Sequence, residues 1–184
     1  MKNSARIDYI DCLKTYHSSL KDVSLDSINQ VYLCKSPKKA INFDEFKSDY
    51  SRIHSLNDCC SVDALIQYEK DREKTILVEF KNEKIDTDTI KSIKNKIKDS
   101  YLILLDIMNL NFNEAKQHLD FILVESKKKN AGKKKNFNII KNRIFFNAKK
   151  HCVNYNLQTF EGYMFKNVYT MNEEEFEDFV EKNI

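Results

Sequence analysis

The stretch SVDALIQYEKDREKTILVEFKN, residues 61–82, decides how the chain folds. Two apolar runs, 62–68 and 75–81, flank a polar segment around Lys70-Asp71-Arg72. That pattern predicts a β-hairpin. Successive strand side chains point to opposite faces of a sheet. With a three-residue turn at 70–72, Asp63 pairs with Glu79, Leu65 with Leu77 and Gln67 with Thr75, while Lys81 follows Glu79 at one end. Val62, Ala64, Ile66, Tyr68, Ile76, Val78 and Phe80 make the other face, all core material. A different turn length shifts the pairs and can still leave the acids near one another.

Two carboxylates placed across neighbouring strands repel each other. Partial burial beside Leu65 and Leu77 makes the repulsion worse. A divalent cation reverses the sign of that interaction, and carboxylates with a main-chain carbonyl and waters suit Mg²⁺ or Mn²⁺. Lys81 shares the face of Glu79, roughly 7 Å along the strand, and can hold a water or a phosphate oxygen beside the metal. On the solvent face of an edge strand, the same Glu-x-Lys is an ordinary exposed pair.

Outward from the hairpin, Ile90, Ile93, Ile97, Tyr101, Leu104 and Met108 trace one face of a helix, with Lys91, Lys94 and Lys98 mostly on its other side. LDFILVES (119–126) is apolar almost throughout, as expected of a central strand covered on both faces. Before the hairpin, RIDYIDCLKTYHSSL (6–20) reads as a helix, and SLDSINQVYLC (24–34) as helix or short strand. A further helix carries the stripe Phe43, Phe46, Tyr50 and Ile53. After residue 126 come a basic loop, a helix over about 136–154, a short strand in YMFKNVYT (163–170) and an acidic helix with Phe176, Phe179 and Val180 inward. The sum is an α/β or α+β fold, with a mixed sheet flanked by helices.

At 184 residues, with only two glycines and one proline, the chain reads as a single domain, 1–184, without a long flexible linker. No GxGxxG or GxxxxGK[ST] string is present, which removes the glycine-rich phosphate loops. The N-terminal residues lack the apolar run of a secretory signal, and no stretch approaches membrane-spanning length, so a cytoplasmic chain without membrane contact is expected. Five cysteines, an odd number, fit reduced thiols there. His17, His54, His118 and His151 have no metal-ligand spacing between them.

Net charge is +3, unevenly spread. Residues 127–150 hold ten Lys/Arg and no acid, whereas residues 171–184 hold six acids and one lysine. A basic segment attracts phosphates without reading sequence. Lys127, Lys128, Lys129, Lys133, Lys134 and Lys135 are therefore candidate nucleic-acid contacts, and a Lys-rich solvated face is the plain alternative. The acidic end can pack as an amphipathic helix, mask the basic tract or recruit a protein partner.

Asp63, then fifteen residues, then Glu79-Phe80-Lys81 resembles the core of the PD-(D/E)XK nuclease superfamily. The order of elements from about residue 43 to 126 is similar too. The resemblance implies a restriction-endonuclease-like core over 43–126, with the basic loop and C-terminal helices of 127–184 appended. It implies Asp63, Glu79 and the Phe80 carbonyl as ligands of Mg²⁺ or Mn²⁺, Lys81 as the residue that orients the attacking water, and Lys94 or Lys98 on the phosphate backbone. Val62 stands where the family name has proline. Many members carry a glutamate on the first core helix; Glu45 is the candidate, with Asp44 or Asp49 as substitutes. The activity implied is metal-dependent phosphodiester hydrolysis of nucleic acid, DNA favoured over RNA. The alternative is an inactive nuclease-like module that binds a partner, or itself as a homodimer, in a microbial defence, toxin–immunity or mobile-element system.

Overall fold

The computed structural model describes residues 13–57, 59–67, 74–131 and 153–184. The hairpin strands are β5 (Ala64–Gln67) and β6 (Thr75–Lys81), antiparallel, with Ala64 opposite Val78, Leu65 opposite Leu77, Ile66 opposite Ile76 and Gln67 opposite Thr75. This is the register expected from a three-residue turn at 70–72, although the turn itself lies outside the described residues. β6 is an interior strand: on its other side it runs parallel to β7 (Leu119–Glu125). The solvated-edge reading of Glu79 and Lys81 therefore fails.

Six strands form the main sheet, in the order β1-β4-β5-β6-β7-β8. β1 (His17–Ser19) and β4 (Lys39–Asn42) extend the antiparallel half, and β8 (Asn167–Asn172) extends the parallel half. The architecture is α+β: a mixed sheet with helices on both faces. β2 (Leu25–Asp26) and β3 (Val31–Tyr32) make a separate ribbon, which settles the open reading of 24–34. Its turn is held by Asp26, whose Oδ1 accepts from the amides of Ile28 and Asn29 at 3.0 and 3.1 Å, an Asx-type turn.

On one sheet face pack α2 (Phe43–Ile53) and α3 (Thr87–Ile107). Phe43, Phe46, Ile93, Ile97, Tyr101 and Leu104 share a core there with Leu65, Leu77, Phe121 and Leu123. The other face is covered by α1 (Leu20–Val23), which contributes Leu20, by the adjoining Leu33 and Cys34, and by the C-terminal acidic helix, whose Phe176 and Val180 pack on Val78, Phe80 and Ile122. β7 is buried along its whole length, as its unbroken apolar run requires. α4 (Phe112–His118) leads into β7, and α5 (Lys127–Asn130) follows it. The acidic helix, α6 (Glu173–Asn183), starts with a capping box between Asn172 and Glu175.

Four expectations change. The described part of 6–20 is a 3-10 turn, Leu13–Tyr16, running into β1, because pairing with β4 outweighs the weak helix propensity of Thr15-Tyr16-His17-Ser18-Ser19. Ile53 is 73 % exposed, so the stripe of α2 ends at Tyr50. Residues 127–130 are a short helix, not a loop. Val62 packs with Leu65 and Leu77, not with Ala64 and Ile66. Asp63 is a bend one residue ahead of β5, and the alternation of faces breaks there. Of the helix expected over 136–154, only Val153 and Asn154 are described, and neither is helical. Among the described residues, no helix is long and apolar enough to cross a membrane.

Candidate functional site

The bend at Asp63 is fixed by main-chain bonds on both sides. Its amide donates to the Val78 carbonyl at 3.1 Å, and its carbonyl accepts from the amide of Phe43, the first residue of α2, at 3.0 Å. One residue earlier, the Val62 amide donates to Ser100 Oγ of α3 at 2.9 Å. Sheet and both helices thus meet at this bend, and Asp63 is aimed by the fold and not by its own rotamer alone.

Its carboxylate reaches across to β6, where Oδ2 accepts from the Phe80 amide at 2.6 Å. In a strand, the N–H and C=O of one residue point to the same edge. The Phe80 carbonyl therefore faces the Asp63 side, beyond the point where β5 stops pairing. Glu79, the neighbouring residue, projects onto the α3 face and is completely buried. Two ammonium groups meet it there. Lys81 Nζ lies 3.1 Å from Glu79 Oε1, and Lys96 Nζ lies 2.9 Å from Oε1 and 3.1 Å from Oε2. Lys96 Nζ also lies 3.4 Å from Asp63 Oδ1, so one ammonium spans both carboxylates.

The electrostatics follow from this crowding. Burial, and then the Asp63 charge, push Glu79 up to about 8, against the pull of Lys96 and Lys81. Asp63 is raised as well, chiefly by burial, with the Asp44 charge adding to it and Lys96 opposing. For Lys96, burial favours the neutral amine, but the Glu79 and Asp63 carboxylates outweigh it and hold the ammonium well above its usual range.

The site opens on a cleft of about 330 Å³, lined by Asp63, Phe80 and Lys81 from the hairpin, Asp44 from α2, and Asp26 and Ile28 from the ribbon. Asn82 Nδ2 donates to Asp26 Oδ2 at 2.9 Å and ties the ribbon to the end of β6.

The structure thus brings Asp63, Glu79, Lys81 and the Phe80 carbonyl together. It does not bring Glu45, which is exposed on the first turn of α2, its charge acting on Tyr16. The helix carboxylate at the cleft is Asp44, which accepts a short hydrogen bond from Ser61 Oγ. Burial of Phe43 and Phe46 sets that helical phase. Asp49 is engaged instead by Tyr16 and Arg52. Lys94 is half-buried and Lys98 exposed, and Lys96 is the residue of α3 that reaches the carboxylates. Its spacing from Ile93, Ile97 and Ser100 puts it on the inward side, which was the available signal. Lys127, Lys128 and Lys129 are exposed, and Lys127 Nζ pairs with Glu174 of α6 at 2.6 Å. Lys133, Lys134 and Lys135 lie outside the described residues.

Among the described residues, no three His, Cys, Asp or Glu side chains form a ready-made metal cluster. A site of lower count fits: two carboxylates and one strand-end carbonyl, with water from the cleft, suit the hard oxygen chemistry of Mg²⁺, which keeps several of its waters. Lys96 already supplies positive charge between the same two acids. No protein-family model, no curated protein and no solved structure matches the chain.

Proposed function

We propose that the chain is a metal-dependent nuclease that hydrolyses phosphodiester bonds, DNA favoured over RNA. The observation that carries this reading is the convergence of a fully buried Glu79 with Asp63 and Lys81 at strand ends that open on a cleft. Setting a fully buried acid beside a half-buried one costs several kcal/mol unless cations answer them, a cost that fold stability alone does not require. Asp63, Glu79 and the Phe80 carbonyl hold Mg²⁺ or Mn²⁺. When bound there, the ion supplies Lewis acidity and a water of lowered pKa. Lys81 orients that water or a phosphate oxygen and places fixed positive charge where negative charge develops. The bend at Asp63, braced by α2, α3 and β6, keeps the carboxylate in place through turnover. Lys127, Lys128 and Lys129, exposed at the end of β7, supply sequence-independent attraction for the backbone. The free thiols of Cys34 and Cys59 support a reducing, cytoplasmic setting.

The purified protein should cleave DNA or RNA with Mg²⁺ or Mn²⁺ and lose cleavage with chelator. Asp63→Ala and Lys81→Ala should each abolish it; full retention in both removes the mechanism.

One observation favours a second reading. Lys96 already neutralises the carboxylates, as expected of an inactive nuclease-like module that binds its partner without chemistry. Metal titration separates the two: a nuclease gains thermal stability from Mn²⁺ and loses that gain in Glu79→Ala.

A further inference from the structure

A cation standing between a buried and a half-buried carboxylate is what a metal site needs, and this chain supplies one of its own. The Lys96 ammonium lies within 2.9–3.4 Å of oxygens from both Glu79 and Asp63. Lys81 plays a different part: it comes from the strand itself and reaches Glu79 and Glu83 at 3.1 and 3.7 Å. Lys96 comes from a helix on a flexible four-carbon stem, and its side chain is not fully enclosed, a fifth of it being exposed.

We propose that Lys96 is a built-in counter-ion that occupies the cation position between Asp63 and Glu79 and vacates it when a divalent ion binds. This rests on the metal-dependent reading and adds how the site is regulated. With both acids ionised, as a metal requires, the two carboxylates and two ammonium groups sum to zero formal charge. Adding a dication while Lys96 stays leaves an excess of two positive charges in a buried space, which low dielectric makes prohibitive. Moving the ammonium outward removes half of that excess, and the cleft offers it a carboxylate. Asp44 lines the cleft on the neighbouring helix, and its charge already acts on Lys96. No covalent bond changes: one cation replaces another, Lys96 remains an ammonium, and a proton held by the buried Glu79 carboxyl leaves to solvent as the metal binds. The exchange keeps the metal-free protein from leaving Asp63 and Glu79 to repel each other with Lys81 as their only nearby cation among the described residues, and it weakens metal affinity by the fraction of molecules in which Lys96 is already out.

The test uses the full chain, Mn²⁺ alone as the probe, and calorimetric titration of wild type and Lys96→Gln. With Lys96 out in a tenth of molecules or fewer, Lys96→Gln should bind Mn²⁺ about tenfold tighter or more, while melting lower than wild type in chelator. Equal affinities overturn the exchange and leave the metal site standing. Weaker binding in Lys96→Gln overturns it too, since the lysine then supports the metal. If neither chain binds Mn²⁺, both the exchange and the nuclease reading fall. Should Lys96→Gln not fold, acylation of wild-type amines read by mass spectrometry decides: labelling of Lys96 should rise with Mn²⁺. Unchanged or reduced labelling overturns the proposal.

Discussion

Glu79 and Asn130 are both buried polar side chains near the C-terminal ends of the central strands, and they answer burial in opposite ways. Asn130 is neutral and satisfied by backbone. Its Oδ1 accepts from the Ile85 amide at 3.0 Å, and its Nδ2 donates to the Glu83 and Ser126 carbonyls at 3.0 and 3.2 Å. The amide stitches the segment after β6 to the segment after β7. Glu79 is answered by two lysine heads, both on flexible stems, and one of them, Lys81, lines the cleft. Backbone partners cannot leave without unfolding the loops, whereas lysines can. One residue is therefore fold, and the other is a place where partners can be exchanged.

The largest expected effect breaks the two apart by activity. Glu79→Gln should lower cleavage by on the order of a thousandfold, about 4 kcal/mol of lost transition-state stabilisation, and leave the melting temperature equal or higher in chelator. Steady-state cleavage rates and calorimetry measure the two arms. Retained cleavage places Glu79 with Asn130, as a structural residue.

The next effect is on pH. Glu79 is raised from its usual value near 4.5 to about 8. Between those values the folded chain holds a proton that the unfolded chain has released, so stability falls as pH rises. The contribution is fully present below about 4.5 and gone above about 8, and integrates to on the order of a few kcal/mol. Asp63, also raised, adds in the same direction. Denaturant melts in chelator from pH 5 to 8 should therefore slope downward, and the slope should flatten in Glu79→Gln. Saturating Mn²⁺ should also flatten it, because the metal favours the ionised acids. A slope indifferent to both changes denies that the buried acid is the source.

Asn130→Ala supplies the reverse case. Losing three hydrogen bonds at a buried position should cost about 2–3 kcal/mol in urea unfolding, with Mn²⁺ affinity within twofold of wild type. If metal binding collapses along with stability, the stitched loops belong to the site, and the contrast with Glu79 is weaker than drawn.

The sequence carried this contrast unevenly. The register of β5 and β6 is legible because Leu65/Leu77 and Ile66/Ile76 alternate cleanly, and the inward stripe of α3 because it repeats over five turns. β1 and β4, at three and four residues, are too short for alternation to show. The reversal at Val62 was hidden because a bend breaks the pleat without any Gly or Pro to mark it. Lys96 was missed because a lysine on a helix reads as solvated by its charge, although its spacing from Ile93 and Ser100 puts it on the inward side. Asp44 displaced Glu45 through a one-residue helical phase set by where Phe43 is buried.

The smallest effect concerns lysines that stay outside. Lys127 differs from Lys96 in everything but charge: it is exposed, and its partner Glu174 is exposed too. Such a pair contributes little to stability, so its significance lies in the phosphate contacts it withholds. Each phosphate neutralised adds about 0.9 to the salt slope of binding to duplex DNA. Replacing Lys127, Lys128 and Lys129 by Gln should lower that slope by up to about 2.7, without altering Mn²⁺ affinity. Glu174→Gln should shift binding the opposite way, since the Lys127 ammonium no longer has to leave a carboxylate to meet a phosphate. Fluorescence anisotropy over a salt series measures both. If triple replacement leaves the slope unchanged, the exposed lysines are only a solvated face, and any attraction for nucleic acid must come from elsewhere in the chain.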